Sequence, residues 1–269
     1  MTATISFINN KIIFIDPVNL NSFQNIVSLI IKPCGLTDFP LLGDIDNIKH
    51  LDVSHNKLSS FKNFPKNLIT CNCDHNKIVS FEFCPQNILY DFNCSHNKIT
   101  SFINCPQHIM YNFDCSYNKL TSFIGSPPYI IHNFRCHHNY ISSFVGCSQT
   151  IIHTFKCGNN LITSFQYSPQ IIVHTFYCNN NLISSFKYAP RTINHKFDCT
   201  SNLISSFDDC PQNIDHDFIC IGNKITSLKN SPAHIQYNFF CTMNPIKSLD
   251  FKPLYITHDF ECDIILNKK

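Results

Sequence analysis

Apolar and polar positions along this chain repeat every 21 residues, a period far longer than that of a helix or a strand. Cys73, Cys94, Cys115, Cys136, Cys157, Cys178, Cys199, Cys220, Cys241 and Cys262 form one column of the repeat. An Asn stands three residues after each from Asn76 to Asn244, and Asn56 precedes them. Ser comes four residues after each Asn, from Ser60 to Ser248, and is followed by Phe or Leu. Pro recurs from Pro65 to Pro253 with Ser148 as the departure, and Ile or Leu stands three residues beyond each of those positions. The unit reads P-x-x-I-x-x-x-F-x-C-x-x-N-x-I-[ST]-S-F-x-x-x.

Elementary geometry turns this unit into one coil of a stack. The Phe and Cys of F-x-C alternate, so both point to one side of a short strand. Stacked coils set these strands in a parallel sheet about 4.8 Å apart, and inward residues then form ladders. Cys94, Cys115, Cys136, Cys157 and Cys178 pack as small hydrophobes. Asn97, Asn118, Asn139, Asn160 and Asn181 mark the turn after the strand, where an amide has both donors and acceptors for exposed backbone groups. Pro falls on the outer side, where no ladder N–H is required. The return path is too short for a regular helix, so an extended, turn-rich outer side is expected.

The core F-x-C-x-x-N-x-I, as in Phe134, Cys136, Asn139 and Ile141, resembles the L-x-L-x-x-N-x-L segment of leucine-rich repeats. The trailing P-x-x-I is similar to the short bacterial-effector subtype with one extra residue. The Phe/Cys/Ile flavour and strict copying look more like repeat proteins of giant DNA viruses that infect amoebae. The resemblance implies a leucine-rich-repeat solenoid of the α/β horseshoe class, with a parallel β-sheet on the concave face, little α-helix on the convex face, and protein recognition on the concave sheet. Two N-terminal segments fit the same frame: Leu29-x-Ile31-x-x-Cys34-x-Leu36, with Cys34 in the Asn slot, and Leu51-x-Val53-x-x-Asn56-x-Leu58. The expected organisation is a cap over residues 1–25, about 11–12 coils over 26–262 as one domain, and a short tail over 263–269.

Composition narrows the chemistry. Only 14% of residues are charged and the net charge is +2, which gives no field for nucleic acid or an acidic membrane. The start lacks a basic segment leading into a long apolar run, and apolar runs such as Ile12–Ile15 are too short to span a bilayer. An intracellular, cytoplasmic location is therefore expected, in the host if the chain is viral. Each of the sixteen Cys has a place in the repeat: ten on the strand, Cys84, Cys105, Cys147 and Cys210 in a small-residue slot before the Pro position, Cys71 for a core Phe and Cys34 for an Asn. Buried reduced thiols are expected over disulfides or metal.

His132, His153, His174, His195 and His216 recur one coil apart, and His258 returns to the column. Metal binding and pH sensing are open to such a column. Tyr90, Tyr111 and Tyr237 share it, which favours a packed ladder of flat rings. His55, His75 and His96, continued by Tyr117 and His138, precede the Asn and are expected on the solvated rim of the turn. Phosphate-binding loops and nucleophile elbows are absent from the sequence, so neither an enzyme nor a cofactor is expected, and no metal.

The residue between Phe and Cys varies while the frame does not. Arg135, Lys156 and Tyr177 would form a basic-aromatic patch, and Ile219 and Phe240 would place large apolar groups side by side on the same face. These five residues are the candidate contact site for a protein partner. A structural, self-associating role through the C-terminal end is the alternative.

Overall fold

The computed structural model describes residues 2–8, 11–16, 26–42 and 45–264. It divides into two compact units, Met1–Ile131 and His132–Lys269. In the first unit, strands β1 (Thr2–Ile8) and β2 (Lys11–Asp16) pair antiparallel. Strand β1 also lies parallel to β3 (Ser28–Ile31), which is followed in parallel by β4 (His50–Asp52), β5 (Asn67–Asn72), β6 (Asn87–Asn93) and β7 (Phe113–Asp114). The hairpin falls within the expected cap; residues 17–25, and 265–269 of the expected tail, lie outside the described residues.

The second unit carries seven two-residue strands in one parallel sheet: β8 (Phe134–Arg135), β10 (Phe155–Lys156), β12 (Phe176–Tyr177), β14 (Phe197–Asp198), β16 (Phe218–Ile219), β18 (Phe239–Phe240) and β20 (Phe260–Glu261). The P-x-x-I segments form further parallel strands that the repeat pattern did not announce. Strands β9 (Thr150–Ile151), β11 (Ile171–Ile172) and β13 (Thr192–Ile193) make one small sheet. Strands β15 (Asn213–Ile214), β17 (His234–Ile235) and β19 (Tyr255–Ile256) make another. In the second unit every pairing is in register with the 21-residue repeat, and no helix occurs among the described residues.

The core is a set of columns. The strand Phe, the Cys, the Ile after the Asn and the second Phe are fully buried in coil after coil, as at Phe176, Cys178, Ile183 and Phe186. Each second Phe meets strand rings of later coils edge-on: Phe165 lies 6.2 Å from both Phe176 and Phe197, at 60° and 61°. Such T-shaped pairs add about 0.5–1.5 kcal/mol each beyond area burial. Successive rings in a column keep nearly one orientation, so their spacing reads the local distance between coils. In the second unit it is 4.1–4.3 Å along His132 to His216, 5.5 Å for Phe155–Phe176, and 6.3 Å for Phe165–Phe186. The first unit shows the same gradient: 4.4 Å for Tyr90–Tyr111, 5.5 Å for Phe92–Phe113 and 6.1 Å for Phe81–Phe102. Within each unit the coils therefore fan open away from the main sheet, which lies on the inner side of the curve.

The Asn column satisfies the bend that follows each strand. The Asn181 amide donates to the carbonyls of Cys157 (3.1 Å), Cys178 (3.0 Å) and Asn179 (3.4 Å), while its oxygen accepts the Ile162 N–H (2.9 Å). Asn202, Asn223 and Asn244 repeat this set. Asn56 accepts the N–H groups of Cys34 and Leu36, which places Cys34 in the slot read from the sequence. A Gln after the Pro position makes a second cross-coil tie: Gln149 Nε2 donates to the Cys147 and Tyr167 carbonyls, and Gln212 Nε2 to those of Cys210 and Asn230.

Two positions per coil have positive φ. One precedes the Asn, as at His75 (φ 50°), Asn159 (54°), Gly222 (66°) and Met243 (55°). The other stands two before the Pro position, in a turn closed by an i→i+3 hydrogen bond such as Ser168 N–H to the Phe165 carbonyl (2.8 Å). It is filled by Gly125 (85°), Gly146 (85°) and Asn230 (62°), but also by Tyr167 (64°), Tyr188 (67°) and Phe251 (65°). Outside glycine this conformation costs roughly 1–2 kcal/mol.

Two substitution tests follow from these columns. Asn181→Ala leaves the Ile162 N–H without a partner, while the carbonyls of Cys157, Cys178 and Asn179 keep one other donor each; a buried unpaired N–H costs about 1–3 kcal/mol. We expect a loss of about 1–3 kcal/mol in chemical denaturation, with faster hydrogen exchange at the Ile162 amide; unchanged protection there would contradict the ladder's role. Tyr188→Gly should instead leave stability unchanged or raise it by up to about 1 kcal/mol. Gly125→Ala should lower it, because a Cβ there would sit 3.0 Å from the Phe102 carbonyl oxygen.

Candidate functional site

The five expected contact residues stand on adjacent rungs of the second unit's sheet. Lys156 pairs with Arg135 on one side and Tyr177 on the other, and Ile219 pairs with Phe240. Asp198 completes the row between Tyr177 and Ile219. All six are half-buried, between the fully buried Phe and Cys of their strands, so they form the open face of the sheet. The Lys156 ammonium lies 5.0 Å from the Tyr177 ring centre, and Lys196 approaches the same ring at 5.7 Å. Burial raises the Tyr177 phenol above its ordinary value, and the carboxylates of Asp198 and Asp217 raise it further, so it stays a neutral donor near pH 7.

The sequence pattern missed a polar cluster beside this row. Asp217 lies 4.0 Å from Lys196, accepts from Asn238 Nδ2 at 2.9 Å, and sits 3.3 Å from His216 Nδ1 without hydrogen-bond geometry to it. These residues precede the strand Phe by one or two, and only their side chains' common direction on the sheet reveals the grouping.

The histidine column is a continuous stack. His132, His153, His174, His195 and His216 follow one another at 4.1–4.3 Å, and Tyr237 continues at 4.4 Å. Ring nitrogens hydrogen-bond to the next column: His174 Nδ1 to Thr175 Oγ1 at 2.8 Å, His153 Nδ1 to Asn133 Oδ1 at 2.9 Å. Desolvation lowers the His153 pKa, helped by His174, His132, Arg135 and His195; His195 is lowered likewise, with Asp217 opposing. Parallel rings on a ladder aim their lone pairs side by side, and alternate rungs stand about twice the rung spacing apart. Such a stack does not gather three ligands around one ion.

The rim column forms a second stack in the first unit: His55–His75 at 4.4 Å, His75–His96 at 4.1 Å and His96–Tyr117 at 4.1 Å. It is not merely solvated surface, because each ring covers its neighbour. All sixteen cysteines are free, and fourteen are buried. Desolvation raises the pKa of the ladder thiols, as at Cys157 and Cys178, which keeps them protonated and weakly nucleophilic. No helix of the described residues is long and apolar enough to cross a membrane.

No family model and no curated protein sequence matches this chain. Solved structures do. YopM from Yersinia enterocolitica aligns with a TM-score of 0.54 at 18% identity, over 89% of this chain and 61% of that one. The functional domain of InlJ from Listeria monocytogenes, described as including a cysteine ladder, aligns with 0.59 at 21% identity, over 86% and 52%. A leucine-rich-repeat protein of Leptospira interrogans aligns with 0.54 at 14% identity, over 88% and 73%. The chain thus spans less than two-thirds of the first two structures it matches. Likeness at these identities establishes the architecture: a leucine-rich-repeat solenoid of about 11 turns built on parallel strands.

The histidine stack makes stability depend on pH. Folded-state values below the ordinary 6.5 mean that the unfolded chain binds more protons in that window. The stabilising contribution is therefore complete above 6.5 and is lost as pH falls through the folded values. Thermal unfolding monitored from about pH 7.5 to about pH 5 should show a falling midpoint. Replacing His153 and His195 with Tyr should flatten that fall, and an equal fall in the variant would count against the stack as its source.

Proposed function

We propose that this chain is a non-catalytic scaffold that holds a protein partner against the open face of the second unit's main sheet. The contact residues of this reading are Arg135, Lys156, Tyr177, Ile219 and Phe240. One observation carries it: these side chains share a single in-register row, basic and aromatic at one end and apolar at the other. The row lies on the inner side of the curve, where neighbouring side chains converge on a bound surface. An aromatic anchor flanked by cations, next to a small apolar patch, is the composition that concentrates binding energy at protein interfaces. Desolvated, protonated thiols suit an intracellular, reducing setting. With the giant-virus resemblance, we place the chain in the cytoplasm of an infected host cell. The reading requires no cofactor, nucleic acid or membrane.

A second reading, self-association through the C-terminal coil, draws on one observation. Phe251, Leu254 and Tyr255 are 65%, 94% and 64% exposed, a concentration of large apolar side chains on a single coil.

The test is an affinity capture from host-cell lysate with the wild-type chain beside a variant carrying Ala at all five positions. We expect a partner retained by the wild type and lost by the variant. Equal capture would move the site off the row. No specific capture, together with a mass that rises with protein concentration, would favour self-association.

A further inference from the structure

We propose that His55, Asp74 and His75 form a binding site for a divalent transition-metal ion on the rim of the first unit. His55 and His75 fill the same slot in successive coils, both in left-handed backbone (φ 56° and 50°), with rings stacked at 4.4 Å and 16°. Asp74 precedes His75, and its Oδ2 lies 3.0 Å from His75 Nδ1. Its other oxygen, Oδ1, is buried and has no hydrogen-bond partner. One ligand atom from each residue lies within 4.8 Å of the other two, the only such grouping among the described residues.

The chemistry fits a three-ligand site. Imidazole nitrogen and carboxylate oxygen are both zinc ligands at about 2.0–2.2 Å, so tetrahedral donors stand about 3.3 Å apart. Asp74 and His75 are already near that separation. Both imidazoles are exposed, and a ligand atom of His55 lies within 4.8 Å of those of Asp74 and His75. A simple His75–Asp74 ion pair leaves Oδ1 buried and unsatisfied, which a cation at the carboxylate would relieve. The corresponding slot of the next two coils holds Ser95 and Ser116, so neither neighbouring rung of the His75–His96–Tyr117 stack carries a carboxylate there. The second unit's stack contrasts with this site, because Thr and Asn side chains engage ring nitrogens of His153 and His174. Three protein ligands leave a fourth position for water. The ion would tie together the coil of Leu51–Leu58 and the coil of Cys71–Ile78.

The experiment is a calorimetric titration of the full, metal-stripped chain with Zn²⁺, beside Asp74→Asn, His75→Gln and a double His153→Gln/His195→Gln control. We expect the wild type and the control to take up one equivalent that both site variants lack. Bound Zn²⁺ should also raise the unfolding midpoint of wild type and control alone, because the ion favours the folded state. To guard against a misfolded variant, Co²⁺ added to the wild-type chain should broaden the His55 and His75 ring resonances before those of His132–His216. Equal uptake by Asp74→Asn, no uptake by the wild type, or broadening that begins in the second unit would each overturn the site.

Discussion

The buried Asn amide is the interaction on which the rest of the structure depends. Each coil must turn sharply inward after a two-residue strand, where its backbone groups are out of water and out of the sheet. Left unmade, each such hydrogen bond costs about 1–3 kcal/mol, comparable to what burying one core side chain contributes. The Asn181 amide resolves the conflict by serving its own coil and the preceding one at once. An apolar residue of similar size would fill the space and leave the Ile162 N–H without an acceptor, with the carbonyls of Cys157 and Cys178 held only by the Asn160 and Asn202 amides. The Asn also fixes register, because its bonds to both coils close only when each rung sits directly over the last. The Phe and Cys columns stack in consequence.

Curvature follows from what the columns hold. Backbone hydrogen bonds keep the strands close, whereas the interleaved second Phe rings need about 6 Å per coil. A stack held tight along one side and wedged open along the other bends toward the tight side. The same bend draws the His column to 4.1–4.3 Å, close enough for ring-on-ring contact. Burial, with the neighbouring imidazoles, holds His153 and His195 below the ordinary value, so pH sensitivity comes with the fold without a separate device.

Most of the frame was legible in the sequence because repetition multiplies a weak signal. A single F-x-C-x-x-N-x-I is ambiguous, but copies at one spacing fix strand, turn and core together. Features that do not repeat in residue type escaped. The positive-φ position two before Pro holds Gly125 and Asn230 but also Tyr167 and Phe251, so only its backbone reveals it. The short outer sheets pair through main-chain atoms whose identity the side chains do not encode. The Asp217 cluster and Asp74 depend on carboxylates that recur only at intervals in mixed columns, as at Asp91, Asp259 and Asp263. For the candidate row, the variable position was readable from the F-x-C pattern, while Asp198 and the approach of Lys196 to Tyr177 required the rungs to be placed side by side.

On the proposed reading, stability and recognition occupy different columns. Inward positions tolerate little change, since Phe176, Cys178 and Ile183 are fully enclosed by the coils before and after them. The position between Phe and Cys points away from the enclosed core, so its identity moves stability less than surface chemistry. Drift alone would scatter charge and bulk along that row without order. Here Arg135 and Lys156 share the flank of Tyr177, Asp198 intervenes, and Ile219 and Phe240 adjoin. The half-buried apolar pair gains nothing from solvent, and the core beneath it is already closed by Phe218, Cys220, Phe239 and Cys241. Its retention on the inner side of the curve is therefore better accounted for by a surface that docks there than by the folding of the coils themselves.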